Sequence, residues 1–232
     1  LEVAIGARPG RFPPGWRLGE PPAALPSPKP TSTLRGLPVV VVGTGPAGLF
    51  TALSLAEAGA DVTVLEQGAP LAERVAAVGA LWREGLLSPE ANVQFGEGGA
   101  GTFSDGKLVT RVRDPRVRVV LEEFVRRGAP ERILEEAHPH VGTDGIRKVV
   151  AGIREHLTSL GVAFRFHTQV TGIGRARSGG WQVETTAGPV EAQALFLAVG
   201  HSSRALFRSL TGSGVPFRAK GCRIQSWSRR QE

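Results

Sequence analysis

The chain has 232 residues, 41% of them hydrophobic and 21% charged, which is an ordinary globular profile with enough length for one large core or two modest ones. The single cysteine, Cys222, excludes an internal disulfide framework and a CxxC redox pair, so electron transfer would need a cofactor, and a reducing cytoplasm suits it. A net charge of +7 leaves nucleic acid open as a partner, but the arginines alternate with acids (Arg116, Arg118, Glu122, Glu123, Arg126, Arg127), the pattern of a solvated helical face, so RNA is the weaker expectation. The densest apolar runs, Val39–Val42 and Ala194–Val199, are too short to span a bilayer and the N-terminus carries no signal-peptide core, so no membrane partner is expected.

The chain opens on Leu1 and has no methionine, and so reads as a fragment or as the product of an alternative start codon. Residues 1–36 carry Pro9, Pro13, Pro14, Pro21, Pro22, Pro26, Pro28 and Pro30 among few apolar clusters, and are expected to be a disordered leader. Order is expected from Pro38. Val39–Val42 is an unalternating β-branched run, as for a central parallel strand covered on both faces. A helix over 46–58 follows, with Leu49, Leu53 and Ala56 on one face, Pro46 in its first turn and Gly59 at its end. The segment 61–66 completes a βαβ unit.

A second helix is expected over 70–84, with Leu71, Val75, Val78 and Trp82 facing inward. From Ser88 to Thr110 the chain becomes glycine-rich and aperiodic. Asp114–Pro115 then starts a helix with Val117, Val120, Leu121 and Phe124 as its stripe. Another begins at Thr143–Asp144, presents Ile146, Val149, Val150, Ile153, Leu157 and Leu160 inward, and stops at Gly161. The last third turns to strands: a third parallel strand over 162–167, a meander over 170–177, 181–186 and 189–193, and a buried returning strand over 194–199. The fold expected is α/β, a Rossmann-like parallel sheet with a three-stranded antiparallel meander crossover. It would carry a helical insertion at about 85–160 within a domain spanning 37–220, followed by an irregular tail over 221–232.

Three stretches carry chemistry. Gly43-Thr44-Gly45-Pro46-Ala47-Gly48 matches GxGxxG between strand and helix: the first glycine allows the tight turn, the second admits the pyrophosphate, the third lets helix and strand pack closely. Glu66 at the end of the next strand is placed for a ribose hydroxyl and would repel the 2′-phosphate of NADP. The run from Asn92 to Lys107 is either a backbone lying against a flat ligand or a flexible surface loop, with Asp105 and Lys107 as a weak local pair. At the C-terminal end of the returning strand, Gly200 can approach a cofactor, and His201 is either a proton donor or an incidental loop histidine. His138 and His140 have no further ligand at metal spacing, and no nucleophile–His–acid arrangement can be drawn from the spacing, so catalytic residues stay unassigned.

The combination of VVVVGTGPAGLFTALSLAEAGADVTVLEQG, NVQFGEGGAGTFSDGKLVTR, HPHVGTD and LFLAVGHSSR closely resembles a bacterial family of FAD-dependent dehydrogenases, similar to NAD(FAD)-utilizing dehydrogenases, with a glutathione-reductase-like FAD fold. The resemblance runs from about Gly36 to Lys220. It implies FAD as the cofactor, with Gly43, Gly45, Pro46, Ala47, Gly48, Glu66 and Gln67 at the ADP half and Val170 meeting adenine through its backbone. It also implies Gly98, Gly99, Gly101, Thr102, Ser104 and Lys107 near the flavin, and Gly200 near the cofactor. An oxidoreductase acting on an unidentified small-molecule substrate or electron donor is the function implied. After Lys220 the family pattern starts in Gly221–Trp227 and is then lost, which implies a truncated member, or a non-catalytic dinucleotide-binding module completed by a C-terminal half.

Overall fold

The computed structural model describes residues 34–110, 114–136, 138–212 and 215–217, so the expected leader up to residue 33, Cys222 and the tail over 221–232 lie outside the described residues. Order begins slightly ahead of Pro38: Leu34–Gly36 form a turn, and the Gly36 amide donates to the Gly59 carbonyl at 2.8 Å.

Strand β1 (Pro38–Val42) leads into helix α1 (Pro46–Glu57) and strand β2 (Asp61–Leu65), close to the expected limits. β1 pairs in parallel with β2, Val39 opposite Val62 and Val41 opposite Val64. Strand β3 (Ala163–Arg165) adds in parallel to β2 and strand β7 (Ala194–Leu197) adds in parallel to β1, giving the order β3-β2-β1-β7. Between β3 and β7 run strands β4 (Val170–Arg175), β5 (Trp181–Thr185) and β6 (Val190–Ala192), an antiparallel meander that forms a second sheet. The expected α/β architecture with its meander crossover is what the chain adopts.

The valine run is continuous because β1 is covered on both sides. Val39 and Val41 enter one core with Leu49, Ala52 and Leu53 of α1 and with Ile146, Val149, Val150, Ile153 and Leu157 of helix α4 (Thr143–Ser159). Val40 and Val42 enter a second core with Val170, Val183 and Ala192 of the meander and with Leu206 and Leu210 of helix α5 (Arg204–Gly212). Alternate side chains of one strand therefore glue helices to one face and the meander to the other. Although α4 lies within the stretch expected as an insertion, its apolar face is part of the main core. Ahead of it come helix α2 (Leu71–Glu84) and helix α3 (Arg116–Arg126), then a 3₁₀ turn over Glu131–Leu134 that buries Ile133 completely.

Four side chains depart from the expected inward positions. Trp82 is 65% exposed, standing edge-on to Phe103 at the end of α2 instead of entering the core. Leu160 is exposed because α4 ends at Ser159. β7 was expected as a buried strand, but among the described residues it is an outer strand of the sheet, and Phe196 and Leu197 are 41% and 45% exposed.

Candidate functional site

The cleft forms where the C-terminal ends of β1, β2 and β7 meet, the place at which an open α/β sheet offers backbone to a ligand. It has a volume of about 780 Å³. Gly43, Gly45, Pro46 and Ala47, Glu66 and Gln67, Val170, and Gly200 and His201 all line it. Gly99 also belongs to the lining, together with Gln94, Phe95, Gly96 and Ala100, which the sequence left undecided between a ligand surface and a loose loop.

The turn glycines do different work. A Cβ on Gly45 would meet nothing within 4 Å, so that position is open to whatever occupies the cleft. A Cβ on Gly48 would collide with the Gly43 carbonyl, so this glycine, buried on α1 and absent from the lining, is needed for helix to meet strand. α1 starts at Pro46 with no side-chain cap, which leaves its first amides and the positive end of its dipole beside the cleft.

Glu66 is 7% exposed and its carboxylate is held from behind. Oε2 accepts from the Thr44 amide at 2.8 Å and the Thr44 hydroxyl at 2.7 Å, while Oε1 accepts from the Gly68 amide at 2.7 Å. With three donors fixed, it is a rigid acceptor, and Oε1, which accepts a single bond, keeps a lone pair for a hydroxyl. Thr44, inside the motif, serves the acid 22 residues away.

The long glycine-rich run divides. Its first part, Gln94–Ala100, reaches the cleft, and the Gly98 amide donates to the Thr44 carbonyl at 2.9 Å, tying it to the motif. The rest turns away. Thr102 is fully buried, its hydroxyl on the Glu97 carbonyl, and a Cβ on Gly98 would press on it and on Val150. Gly101 and Ser104 lie off the cleft in and just after a 3₁₀ turn over Ala100–Phe103, and Lys107 pairs on the surface with Asp105 at 2.8 Å. The motif HPHVGTD explains this second part. The Leu108 amide donates to the Pro139 carbonyl at 2.8 Å and the Val141 amide to the Gly106 carbonyl at 2.9 Å, so the two motifs zip together. His140 then places its ring Nε2 2.6 Å from the Asp105 carbonyl. No group of three His, Cys, Asp or Glu side chains among the described residues could hold a metal.

Two buried charges behind the cleft wall were missed from the sequence. Arg74 on α2 and Glu97 are both fully buried. Burial pushes the Arg74 guanidinium down to about 10, against the pull of Glu66 and Glu97, so it stays charged at neutral pH. Burial also raises the Glu97 carboxyl above its ordinary range, opposed by the Leu71 amide and by Arg154. Glu97 Oε2 accepts from that amide at 2.7 Å, capping α2, and Oε1 lies 2.8 Å from Arg154 Nε, an ion pair by distance without an aligned hydrogen bond. The signal for Arg74 was its spacing: with Leu71, Val75 and Val78 it shares the apolar face of α2, where a solvated arginine has no place.

The family described as FAD dependent oxidoreductase matches residues 38–144 and 143–230. The chain belongs to the FAD dependent oxidoreductase family. An uncharacterized protein of Clostridium beijerinckii is 42% identical over 194 residues, a match that takes in 84% of this chain and 36% of the relative, so the chain spans little more than a third of that protein's length. Among solved structures, THI4 of Thermovibrio ammonificans aligns at TM-score 0.49 and 16% identity, covering 79% of this chain and 65% of that one. L-Amino acid deaminase of Proteus myxofaciens aligns at TM-score 0.40 and 20% identity, covering 84% and 50%. The family's cofactor is FAD. The cleft of this chain fits such a group: its lining is open at Gly45, its acceptor at Glu66 is pre-held, and its volume is that of a cofactor pocket. No helix among the described residues is long and apolar enough to cross a membrane.

Proposed function

We propose that this chain is the cofactor-holding part of a bacterial, cytoplasmic FAD-dependent oxidoreductase whose partner is a small-molecule substrate or electron donor. The observation that carries it is a single cleft joining Glu66, the open Gly45 position and Gly200. In this role Glu66 accepts from the ribose, with Gln67 beside it, and Val170 offers its backbone to the adenine. Gly43, Gly45, Pro46 and Ala47 face the pyrophosphate, and Gly99 and Gly200 lie along the rest of the cofactor. Gly48, Gly98 and Thr102 act indirectly, by fixing the turn and the wall. When bound, FAD supplies the uptake and release of electrons. The chain's own part is to bind, orient and manage protons. The ionisable side chains of the lining are Glu66, committed to three donors, Arg204, and His201, whose ring nitrogens can donate or accept a hydrogen bond. The lone cysteine supports the cytoplasmic assignment.

Titration of the purified protein with FAD, followed by flavin absorbance and fluorescence, tests the proposal. The wild-type chain should turn yellow and retain the cofactor through desalting. Gly45→Val should fold normally, since its side chain enters open space, yet bind FAD at least about tenfold more weakly, a loss of about 1.4 kcal/mol. Equal affinity in the variant would refute the assignment of this cleft. The span of about a third of its relative's length favours a second reading, a module that binds FAD without turnover. Reduction of the bound flavin by no donor, together with tight FAD binding, would select it.

A further inference from the structure

One part of the cleft lining comes from residues 92–99, a segment that has no regular secondary structure, so its backbone polar groups need partners that no sheet or helix of its own provides. One side chain meets five of its carbonyls. Arg74 Nε donates to the Asn92 carbonyl at 2.9 Å and Nη2 to the Val93 carbonyl at 3.0 Å. Nη1 is shared by the carbonyls of Glu97 at 2.6 Å, Gly99 at 2.8 Å and Gly96 at 3.4 Å. The guanidinium centre also lies 4.8 Å from the centroid of the Phe103 ring, and a Cβ on Gly96 would come within 2.7 Å of Arg74 Cδ, so loop and side chain are moulded to each other. No carboxylate makes an ion pair with Arg74 among the described residues: its charge is satisfied by carbonyl dipoles of the wall itself.

This arrangement has a directional consequence. In a trans peptide the carbonyl and the next N–H point oppositely, so a carbonyl drawn toward Arg74 turns the following amide away from it. For the Gly99 carbonyl that amide belongs to Ala100, a residue of the cleft lining. We propose that Arg74 is the positioning residue of the cofactor wall, gathering the carbonyls of residues 92–99 beneath the surface so that the Gly99–Ala100 peptide presents its N–H to FAD. This rests on FAD occupying the cleft. Lysine cannot replace it, because an ammonium is a point donor, whereas the guanidinium reaches carbonyls spread over eight residues through a planar fork.

The test compares wild type with Arg74→Lys and Arg74→Ala, each as the full chain. Hydrogen exchange without added FAD should show residues 92–100 losing protection in Arg74→Lys while β1, β2 and α4 keep theirs. FAD affinity should fall at least about tenfold, the loss of one strong hydrogen bond or more. Millimolar methylguanidinium should restore FAD binding to Arg74→Ala, and methylammonium should not, which a role in charge balance alone would not produce. Unchanged protection of 92–100 together with wild-type FAD affinity in Arg74→Lys would overturn the inference. A wild-type chain that bound no FAD would instead defeat the cofactor reading, and the exchange comparison would still decide what Arg74 holds. Should neither variant fold, Ala100→Pro removes only the amide in question at a position whose preceding residue is extended in ψ, and undiminished FAD affinity there would count against the proposal.

Discussion

At the scale of single residues, the acid at the end of β2 has two roles that one substitution separates. Glu66 is the expected ribose acceptor, and it also terminates hydrogen bonds from the Thr44 amide, the Thr44 hydroxyl and the Gly68 amide. In Glu66→Gln the new NH₂ must face either Thr44 N–H or Gly68 N–H, whichever way the amide turns. Two donors then oppose each other in a buried place, which costs about 1–3 kcal/mol. Chemical denaturation without cofactor should show that loss, and FAD titration should show weaker binding besides. A variant as stable as wild type would mean that the carboxylate does not hold the turn. The acid was legible because spacing alone places it beside GxGxxG. Thr44 was not, since the x positions of the motif carry no spacing signal. Arg74 and Glu97 escaped because charged residues are read as solvated, and only the apolar face around position 74 said otherwise.

At the scale of elements, α3 shows that a start signal can be legible where its consequence is not. Asp114–Pro115 was expected to begin a helix, and the Asp114 Oδ1 does accept from the Arg116 amide at 2.8 Å while the Val117 amide donates to the Asp114 carbonyl at 3.0 Å. Arg116 adds a side-chain hydrogen bond and is the larger reason that the Asp114 carboxyl is held at about 2, below its ordinary 3.8. A depressed carboxyl contributes stability that is present above pH 3.8 and disappears as pH falls through about 2. The first turn of α3 should therefore fray across that window, seen as faster exchange of the amides of 116–118, and Asp114→Asn should abolish the pH dependence. Frayed amides at pH 6 in the wild type would contradict the cap. The ends of elements were read less well than their existence: α2 carries Trp82 one turn too far to be covered, and α4 stops one residue before Leu160.

At the scale of the whole molecule, the pattern of the returning strand and its surroundings disagree. A continuous apolar run reads as a strand covered on both faces, and β1, in the middle of the sheet, obeys that rule completely. β7 has the same kind of sequence but, among the described residues, only one neighbouring strand, so a local run cannot distinguish a central strand from an outer one. The pairing register shows which side is bare. Phe196 lies opposite Val41, on the helix side, beyond the cover that α1 gives to β1, and Leu195 lies opposite Val40 and packs toward the meander. An outer strand with free backbone groups and a large exposed aromatic is a template for pairing with another chain. Self-association that rises with protein concentration is therefore expected, and Phe196→Lys should move sedimentation toward the monomer by placing a charge on that edge. Because Phe196 is not part of the cleft lining and is 41% exposed, the same variant should keep its unfolding free energy within about 0.5 kcal/mol and its FAD affinity unchanged. Sedimentation of wild type and variant that coincided at every concentration would show that the bare edge of β7 draws no second chain.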